Sequence, residues 1–188
     1  MLKRELRKSF LARRRLLSTS EARCLSEQIA GRFFARFDLN PFRVIHFFLS
    51  MATNNEIDTR QIIDRIRTSY PMIEVAVPRV CGGELETLRF DSETKLKLSN
   101  WNIPEPIDDR FVDPRSIDLV IVPLLAFDLR GHRVGFGKGF YDRFLKACRD
   151  DCVKVGISFF PPVENIDDAT ENDVRLDFCL TPFELFKF

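Results

Sequence analysis

Residues 118–145 read DLVIVPLLAFDLRGHRVGFGKGFYDRFL and carry the clearest fold signal in the chain. Residues 118–122 form a continuous apolar strand, a glycine-rich loop follows, and a helix is predicted from about residue 141 to residue 149. After Asp118 this strand is apolar at every position, which is typical of a sheet covered on both faces. The stretch therefore predicts one strand–loop–helix unit of an α/β fold.

Helical patterns come before this unit in the chain. Apolar residues at helical spacing predict a first helix around residues 2–11. The capping-box pattern Ser18-x-x-Glu21 predicts a second helix over 18–36, and a third is expected over 58–69. These helices would cover the sheet that the apolar strands form.

Strand patterns alternate with the helices. Besides 118–122, they are predicted at 43–49, 73–77, 85–90 and 153–159. Pro78 is expected to end the second strand because proline has no backbone N–H to donate. Residues 81–83 are interpreted as a turn, and residues 104–114 as a proline-rich loop.

The alternation predicts the fold class. Helices interspersed with apolar strands indicate a single three-layer α/β/α domain over residues 1–188, with a mostly parallel central sheet. In such sheets ligands bind beyond the carboxyl ends of the strands. Those ends are expected at the loops that follow Leu49, Val122 and Phe159.

The composition is that of an ordinary globular protein. Hydrophobic residues make up 45% of the 188 positions and charged residues 30%, with a formal net charge of +1. That charge gives no general attraction to nucleic acid or to anionic membranes. No apolar run approaches the roughly 18 residues that span a bilayer, and the basic N-terminus lacks the apolar region of a secretory signal. We expect a cytoplasmic monomer with small-molecule partners.

The cysteines and histidines offer few alternatives. Cys148 and Cys152 lie four residues apart on one face of a predicted helical stretch, but no further zinc ligands follow at suitable spacing. They are interpreted as buried free thiols, which fits a reducing cytosol. His46 is expected in the core, and His132 is expected to be a solvated turn residue.

The loop after the 118–122 strand has the composition of a phosphate site. Its glycines are Gly131, Gly135, Gly137 and Gly139. Glycine lets the backbone approach a ligand closely, Arg133 and Lys138 add positive charge, and the start of the next helix favours an anion. The alternative is that these glycines only form tight turns.

Neither of the two common phosphate-binding motifs is present. A dinucleotide motif that starts at Gly135 would need glycine where Phe140 stands. A P-loop that starts at Gly131 would need its second glycine at Phe136, and Lys138 is followed by Gly139, where a P-loop lysine is followed by Ser or Thr. If the loop binds a nucleotide, it does so with another motif.

Residues 122–145 resemble the signature of the 5-formyltetrahydrofolate cyclo-ligase family, also called methenyltetrahydrofolate synthetases. The matching positions are Pro123, Phe127, Asp128, Gly131, Arg133, Gly135, Gly137, Lys138, Gly139, Tyr141 and Asp142. Further similar blocks lie at 3–7, 48–51, 56–59, 101–106 and 171–173. Phe136 departs from the pattern, since relatives often carry Arg or Gly there, and the loop at 52–55 is slightly longer.

The resemblance implies an ATP- and Mg²⁺-dependent reaction. A member of this family would close 5-formyltetrahydrofolate to 5,10-methenyltetrahydrofolate with release of ADP and phosphate. Transfer of the γ-phosphoryl group to the formyl oxygen would make that oxygen a good leaving group. Phosphoryl transfer depends mainly on positioning and charge neutralisation, which glycine-loop amides, cations and magnesium would provide.

The resemblance also implies site residues. The expected ATP-binding residues are Lys3, Arg4, Arg7, Arg133, Val134, Gly135, Phe136, Gly137, Lys138, Gly139, Phe140 and Tyr141. The expected folate-binding residues are Arg7, Leu49, Met51, Glu56, Trp101, Phe136, Gly137, Lys138, Gly139 and Phe140. Arg133, Lys138 and Tyr141 are expected to be catalytic, with Arg133 and Lys138 facing ligand or solvent and not the core. Asp142 and Asp173 are expected to hold Mg²⁺.

Each of these roles has an ordinary alternative. The basic N-terminal residues could form a solvated helix face, Glu56 in a polar loop reads as a surface residue, and Trp101 could simply pack. Asp142 could be a helix-start carboxylate and Asp173 part of a solvated acidic loop. Asp128 is interpreted as a turn residue outside the site.

Two other functions remain open at this point. One is a non-catalytic nucleotide or sugar-phosphate binding module, and the other is a phosphosugar isomerase of similar α/β architecture. A binding module has no need of Glu56, Asp142 and Asp173 together, and an isomerase would need a base but no ATP. These considerations favour the ligase.

Overall fold

The computed structural model describes residues 1–51 and 55–188. The helices are α1 (Lys3–Leu16), α2 (Thr19–Arg36), α3 (Arg60–Ser69) and α4 (Phe140–Ala147). The strands are β1 (Val44–His46), β2 (Glu74–Cys81), β3 (Glu84–Arg89), β4 (Leu96–Leu98), β5 (Pro104–Pro106), β6 (Leu119–Pro123), β7 (Ala126–Phe127), β8 (Arg133–Val134), β9 (Val153–Ile157), β10 (Phe178–Leu180) and β11 (Leu185–Lys187). The longer loop expected at 52–55 falls mostly on residues 52–54, outside the described residues.

A seven-stranded sheet forms the centre of the fold. Its strand order is β11-β10-β9-β6-β1-β2-β3. The five inner strands are parallel to one another, and the edge strands β3 and β11 pair antiparallel to their neighbours. The predicted mostly parallel sheet is confirmed.

Helices cover both faces of this sheet. On one face, Ile29 and Phe33 of α2 and Ile62 and Ile66 of α3 pack against sheet residues such as Ile121. Phe144 and Leu145 of α4 pack on the other face. Helix α1 packs through its buried residues onto the small β7–β8 hairpin. The predicted three-layer α/β/α architecture is confirmed, and α1 reaches the hairpin that leads into the glycine loop.

Several local predictions are confirmed. Ser18 caps α2 with the expected capping box, since its hydroxyl accepts from the N–H of Glu21 and that side chain accepts from the N–H of Ser18. Gly82 and Gly83 both have positive φ, at 57° and 89°, and connect β2 to β3. A two-residue hairpin loop needs this backbone conformation.

The prediction that Pro78 ends its strand is wrong. Strand β2 continues to Cys81, and Pro78 pairs with Thr87 of β3. The carbonyl of Ala76 accepts from the N–H of Phe47, so Pro78, two residues later, faces the same side of β2. Strand β1 has already ended there, and the missing N–H of proline therefore breaks no ladder hydrogen bond.

Short strands account for the other differences. Residues 104–114 are not entirely a loop, because Pro104–Pro106 pair with Leu96–Leu98. The pattern did not predict β7, β8, β10 or β11, which are only two or three residues long. Runs of that length show no detectable alternation, so only pairing with neighbouring strands reveals them.

Two predictions about single side chains are wrong. His132 is buried and not solvated, and its Nδ1 lies 3.2 Å from Oδ2 of Asp128. Cys148 and Cys152 do not share a helix face, because α4 ends at Ala147. Both thiols are free as predicted, with Cys152 buried and Cys148 half-buried.

The other interpretations of this kind agree with the structure. His46 is completely buried in β1, and burial lowers its pKa to about 3. Asp128 is a buried turn residue whose Oδ1 accepts from the N–H groups of Arg130 and His132. No helix among the described residues is long and apolar enough to cross a membrane.

Candidate active site

A cavity of about 690 Å³ opens beyond the carboxyl ends of β1 and β6. Residues after these strands line it, as predicted, and the β2–β3 hairpin adds a further wall. The third predicted loop, after Phe159, contributes only Asp173 near its far end. Phe160 at the start of that loop instead packs against Phe10 of α1, with ring centroids 5.7 Å apart.

One end of the cavity is cationic. Lys3 and Arg7 reach it from the first two turns of α1. The ammonium of Lys3 lies 2.5 Å from Oδ2 of Asp173, and Nε of Arg7 donates to the carbonyl of Gly135 at 2.8 Å. The N-terminal helix is therefore fixed directly to the glycine loop and to the distant acidic segment.

Arg133 lies at the same end but is deeply buried. It is only 5% exposed, its Nη2 lies 2.7 Å from Oδ1 of Asp142, and Nη1 donates to the carbonyl of Val174. Burial lowers the pKa of Arg133, and Asp142 opposes that effect. The expectation that Arg133 faces only ligand or solvent is wrong, because it also ties β8 to α4.

The glycine loop is shaped by close contacts. Gly137 has a φ of 87°, and a Cβ there would lie 3.1 Å from Cζ of Arg7. Gly139 has a φ of 68° and occupies the N-cap of α4, where it offers no side-chain acceptor to the first turn. The helix N–H groups are thus left for a ligand, and Lys138 between the two glycines is exposed. This geometry supports the phosphate-site prediction.

The other end of the cavity is mainly apolar. Its walls are Phe48, Leu49, Pro78, Val80, Leu85, Trp101, Ile103, Pro123 and Phe140. Trp101 is 48% exposed, and its ring centroid lies 6.0 Å from that of Phe140. A flat aromatic ligand could lie between such walls, beside the glycine loop.

Glu56 also lines the cavity and is not the surface residue that its polar surroundings suggest. Its side chain is only 6% exposed. One carboxylate oxygen accepts from the N–H of Met51 at 2.8 Å, and the other lies 3.6 Å from Nη2 of Arg14. Burial raises the pKa of Glu56, while the Met51 N–H and Arg14 oppose that rise. A carboxylate held in this way can accept hydrogen bonds from a bound ligand.

Tyr141 faces the same region. Its hydroxyl is buried and has no hydrogen-bond partner among residues 1–51 and 55–188. Burial is the main cause that raises its pKa, and Glu56 adds to the effect. The phenol is therefore protonated at neutral pH and can donate a hydrogen bond to a ligand.

The cavity collects nearly all the site residues expected from the sequence. It is lined by Lys3, Arg7, Leu49, Met51, Glu56, Trp101, Asp142, Asp173 and every residue from Arg133 to Tyr141. Arg4 is the exception, since its side chain is exposed on α1 and does not line the cavity.

Other lining residues were not predicted. They are Phe48, Pro78, Val80, Leu85, Ile103, Glu105 and Pro123. Glu105 is buried, and its carboxylate accepts from the N–H of Val80 at 3.3 Å. It lies in the block 101–106 that resembles the family, and this is the one sequence signal that could have identified it.

The two expected metal ligands are suited to magnesium. Oδ1 of Asp142 accepts from Arg133 and from the N–H of Val174, and Oδ2 of Asp173 accepts from Lys3 and from the N–H of Thr170. Among the described residues, the second oxygen of each carboxylate accepts no hydrogen bond. Magnesium prefers oxygen ligands and usually takes one or two carboxylates beside phosphates, so this pair fits the ion.

The fold and the cavity together define an α/β ligand-binding protein with an anion-binding end and an apolar end. The sequence profile described as "5-formyltetrahydrofolate cyclo-ligase family" matches residues 1–182. The chain belongs to the 5-formyltetrahydrofolate cyclo-ligase family.

Individual relatives agree with this assignment. The 5-formyltetrahydrofolate cyclo-ligase of Escherichia coli K12 is 32% identical over 137 residues, which cover 71% of this chain and 74% of that protein. The Mycoplasma pneumoniae 5-formyltetrahydrofolate cyclo-ligase is 28% identical over 187 residues, covering 96% and 98%.

A solved structure extends the similarity to the fold. The 5,10-methenyltetrahydrofolate synthetase of Aquifex aeolicus superposes with a TM-score of 0.85 at 31% identity, over 100% of this chain and 93% of that one. The predicted family, enzyme class and ATP-dependent cyclisation are confirmed, which favours the ligase over the binding module and the isomerase.

Proposed function

We propose that this cavity holds 5-formyltetrahydrofolate and MgATP together, and that its described residues carry the ATP-dependent closure to 5,10-methenyltetrahydrofolate. The observation that supports this most directly is the continuity of the cavity. A cationic glycine loop and an apolar wall with a buried carboxylate line one space of about 690 Å³. A reaction that transfers a phosphoryl group from ATP to the formyl group of a pterin needs a phosphate-binding surface and a pterin-binding surface side by side.

The glycine loop is proposed to bind the ATP phosphates. Backbone N–H groups at the start of α4, the exposed Lys138 and the cations Lys3 and Arg7 face this end. The γ-phosphoryl group passes to the formyl oxygen with release of ADP. N10 then attacks the activated formyl carbon, the bond from that carbon to the phosphorylated oxygen breaks, and phosphate leaves together with the proton that N10 loses. Charge neutralisation by Lys138 and Arg133 would stabilise the transfer.

Asp142 and Asp173 are proposed to hold Mg²⁺. When bound, the ion would neutralise charge on the phosphate oxygens. Both carboxylates already pair with protein cations, so the metal has to share them with Arg133 and Lys3. Weak binding of magnesium without nucleotide is therefore expected.

Glu56 is proposed to accept hydrogen bonds from the N–H and amine groups of the pterin. Leu49, Met51 and Trp101 would supply the apolar contacts around it. The protonated hydroxyl of Tyr141 would donate to the substrate near the reacting group. The remaining predictions are retained as proposals: one domain over 1–188, a monomer, and a cytoplasmic location.

An absorbance assay tests the proposal. Purified protein with 5-formyltetrahydrofolate, ATP and Mg²⁺ should produce the methenyl chromophore and release ADP and phosphate in equal amounts. Omission of ATP should abolish the signal. Formation of the chromophore at an undiminished rate without nucleotide would contradict the proposed reaction.

A further inference from the structure

Arg14 is a buried arginine that the proposed mechanism does not use. It stands between Arg13 and Arg15 near the end of α1, and both of these neighbours are exposed. The side chain of Arg14 is only 7% exposed. A guanidinium group is strongly hydrated in water, so its burial at this point needs a compensating interaction.

Only part of that compensation is visible within the protein. Nη2 lies 3.6 Å from Oε1 of Glu56, and Cζ lies 5.6 Å from the centre of the Phe136 ring. In the described part of the chain, Nε and Nη2 have no hydrogen-bond partner. Both contacts of Arg14 are with residues that line the cavity.

The surroundings of Glu56 show how Arg14 can act on the Glu56 carboxylate. Its carboxylate is almost completely buried, and burial favours the protonated form. Arg14 from α1 is the one cation that pairs with it among residues 1–51 and 55–188. Tyr141 from α4 is close enough for Glu56 to raise the pKa of its phenol, but the neutral phenol supplies no charge to Glu56 in return. Within the described ranges 1–51 and 55–188, the N–H of Met51 is the other polar contact of Glu56.

We propose that Arg14 is a positioning residue for folate recognition, which keeps the Glu56 carboxylate ionised and oriented toward the pterin. The inference rests on the proposed role of Glu56 as the pterin acceptor. Arg14 acts through Glu56 and does not need to touch the substrate. The Phe136 ring restrains the guanidinium from the cavity side, in the manner of a cation–π contact.

The sign of the pH effect follows from the charges. Arg14 and the Met51 N–H oppose the effect of burial on Glu56, so loss of the Arg14 cation raises the pKa of Glu56 further. The carboxylate then becomes protonated at a higher pH than in the wild type. Folate binding should weaken as pH falls in both proteins, and the decline should begin at higher pH when the Arg14 charge is absent.

Arg14→Met tests the proposal because it keeps length and apolar character but removes the charge. We expect the Kd for 5-formyltetrahydrofolate, measured by calorimetry at neutral pH, to rise roughly tenfold, the size of one lost charge-assisted interaction. The KM for ATP should change by less than about threefold. Arg15→Met is the matched control, since this neighbouring arginine on α1 is exposed.

Two further variants separate positioning from a general structural role. Arg14→Lys should restore part of the folate affinity, because it restores the charge. Arg14→Met should have little additional effect on folate binding when Glu56 is already Gln, since the carboxylate on which it acts is absent. This double-mutant comparison gives an answer even if Arg14→Met lowers the melting temperature.

The outcomes distinguish the two proposals. If the wild type binds and converts folate but Arg14→Met behaves like Arg15→Met, the role of Arg14 is wrong and the proposed function stands. Equal losses from Arg14→Met with and without Glu56 would also overturn it. If the wild type itself binds no 5-formyltetrahydrofolate, the proposed function fails and the inference fails with it.

Discussion

The two ends of the cavity satisfy their buried polar groups in different ways. At the phosphate end, charges are already paired within the protein, with Lys3 on Asp173 at 2.5 Å and Arg133 on Asp142 at 2.7 Å. At the folate end, the buried Tyr141 hydroxyl has no partner among the described residues. Internal pairs stabilise the first end before any ligand arrives, whereas the second end retains hydrogen-bonding capacity for a ligand.

This difference has a consequence for binding. At the phosphate end, ATP and magnesium must replace ion pairs that already exist within the protein. The binding free energy gained from each new contact is therefore small, because a similar interaction is lost. At the folate end, a ligand can satisfy the Tyr141 hydroxyl, which otherwise is desolvated without a partner among the described residues, so this contact is more selective. We therefore expect substitutions at the phosphate end to affect turnover most, and substitutions at the folate end to affect folate affinity.

The largest effect is expected at the phosphate end. Lys138→Ala and Arg133→Ala should each lower kcat/KM by roughly 10²–10³, as for loss of one preorganised charge-stabilising group. Lys138→Ala should leave the melting temperature unchanged because its side chain is exposed. Arg133→Ala should lower it, because removal of the buried guanidinium leaves Asp142 without its partner.

Steady-state kinetics and thermal unfolding measure both parts of this prediction. Lys146→Ala is the control, an exposed lysine on α4 outside the cavity, and it should match the wild type. Full activity of both Lys138→Ala and Arg133→Ala would show that this end of the cavity does not stabilise the transferring phosphate.

The next largest effect concerns the metal. Asp142→Asn and Asp173→Asn should each raise the magnesium concentration for half-maximal rate by roughly 10–100-fold, a range that loss of even an outer-shell partner can reach. Folate affinity measured without nucleotide should hardly change. Asp150→Asn, an exposed carboxylate beyond the end of α4, is the control. If only Asp142→Asn raises the magnesium requirement, Asp173 pairs with Lys3 and has no role in metal binding.

Glu56→Gln examines the folate end. It keeps the size of the side chain but removes the charge, so folate affinity should fall about tenfold to a hundredfold, while ATP affinity stays within about threefold. Because burial raises the pKa of Glu56, the wild type should lose folate affinity as the pH falls through that raised pKa. The Gln variant should lack this pH dependence. Calorimetry with each ligand separately distinguishes this from equal weakening of both, which would indicate a structural role.

The smallest effect is expected at Trp101. An aromatic contact is worth about 0.5–1.5 kcal/mol, so Trp101→Ala should raise the KM for folate about fivefold and leave kcat nearly unchanged. Phe183→Ala removes an exposed aromatic ring outside the cavity and serves as the control. An unchanged KM would mean that Trp101 packs on Phe140 without covering the substrate.

Much of the fold could be predicted because long, regular patterns carry it. The apolar run at 118–122 and the capping box at Ser18 predicted β6 and α2 correctly. Strands of two or three residues, such as β7 and β10, have no such pattern and exist only through pairing with neighbours. The prediction that Pro78 ends its strand was wrong for a related reason. The effect of a proline depends on which side of the strand is paired, and the sequence does not show this.

The residues of the candidate site also fall into two groups, those that the sequence identified and those that it missed. The glycine loop is local in sequence, and its resemblance to the family identified most of the cavity lining. The hairpin residues Val80 and Leu85 were missed because nothing in their local sequence marks them as ligand contacts. Their role depends on how the β2–β3 hairpin lies over the cavity.

By itself, the sequence determined the α/β class and the glycine loop through order and spacing along the chain, and its resemblance to known cyclo-ligases implied the family and the reaction. Only the tertiary structure decided the environment of individual charges. It buried Glu56 beside Arg14, paired Arg133 with Asp142, and left Arg4 exposed on α1. Burial and ion pairing are set by residues far apart in the chain, and they determine which charges remain available to a ligand.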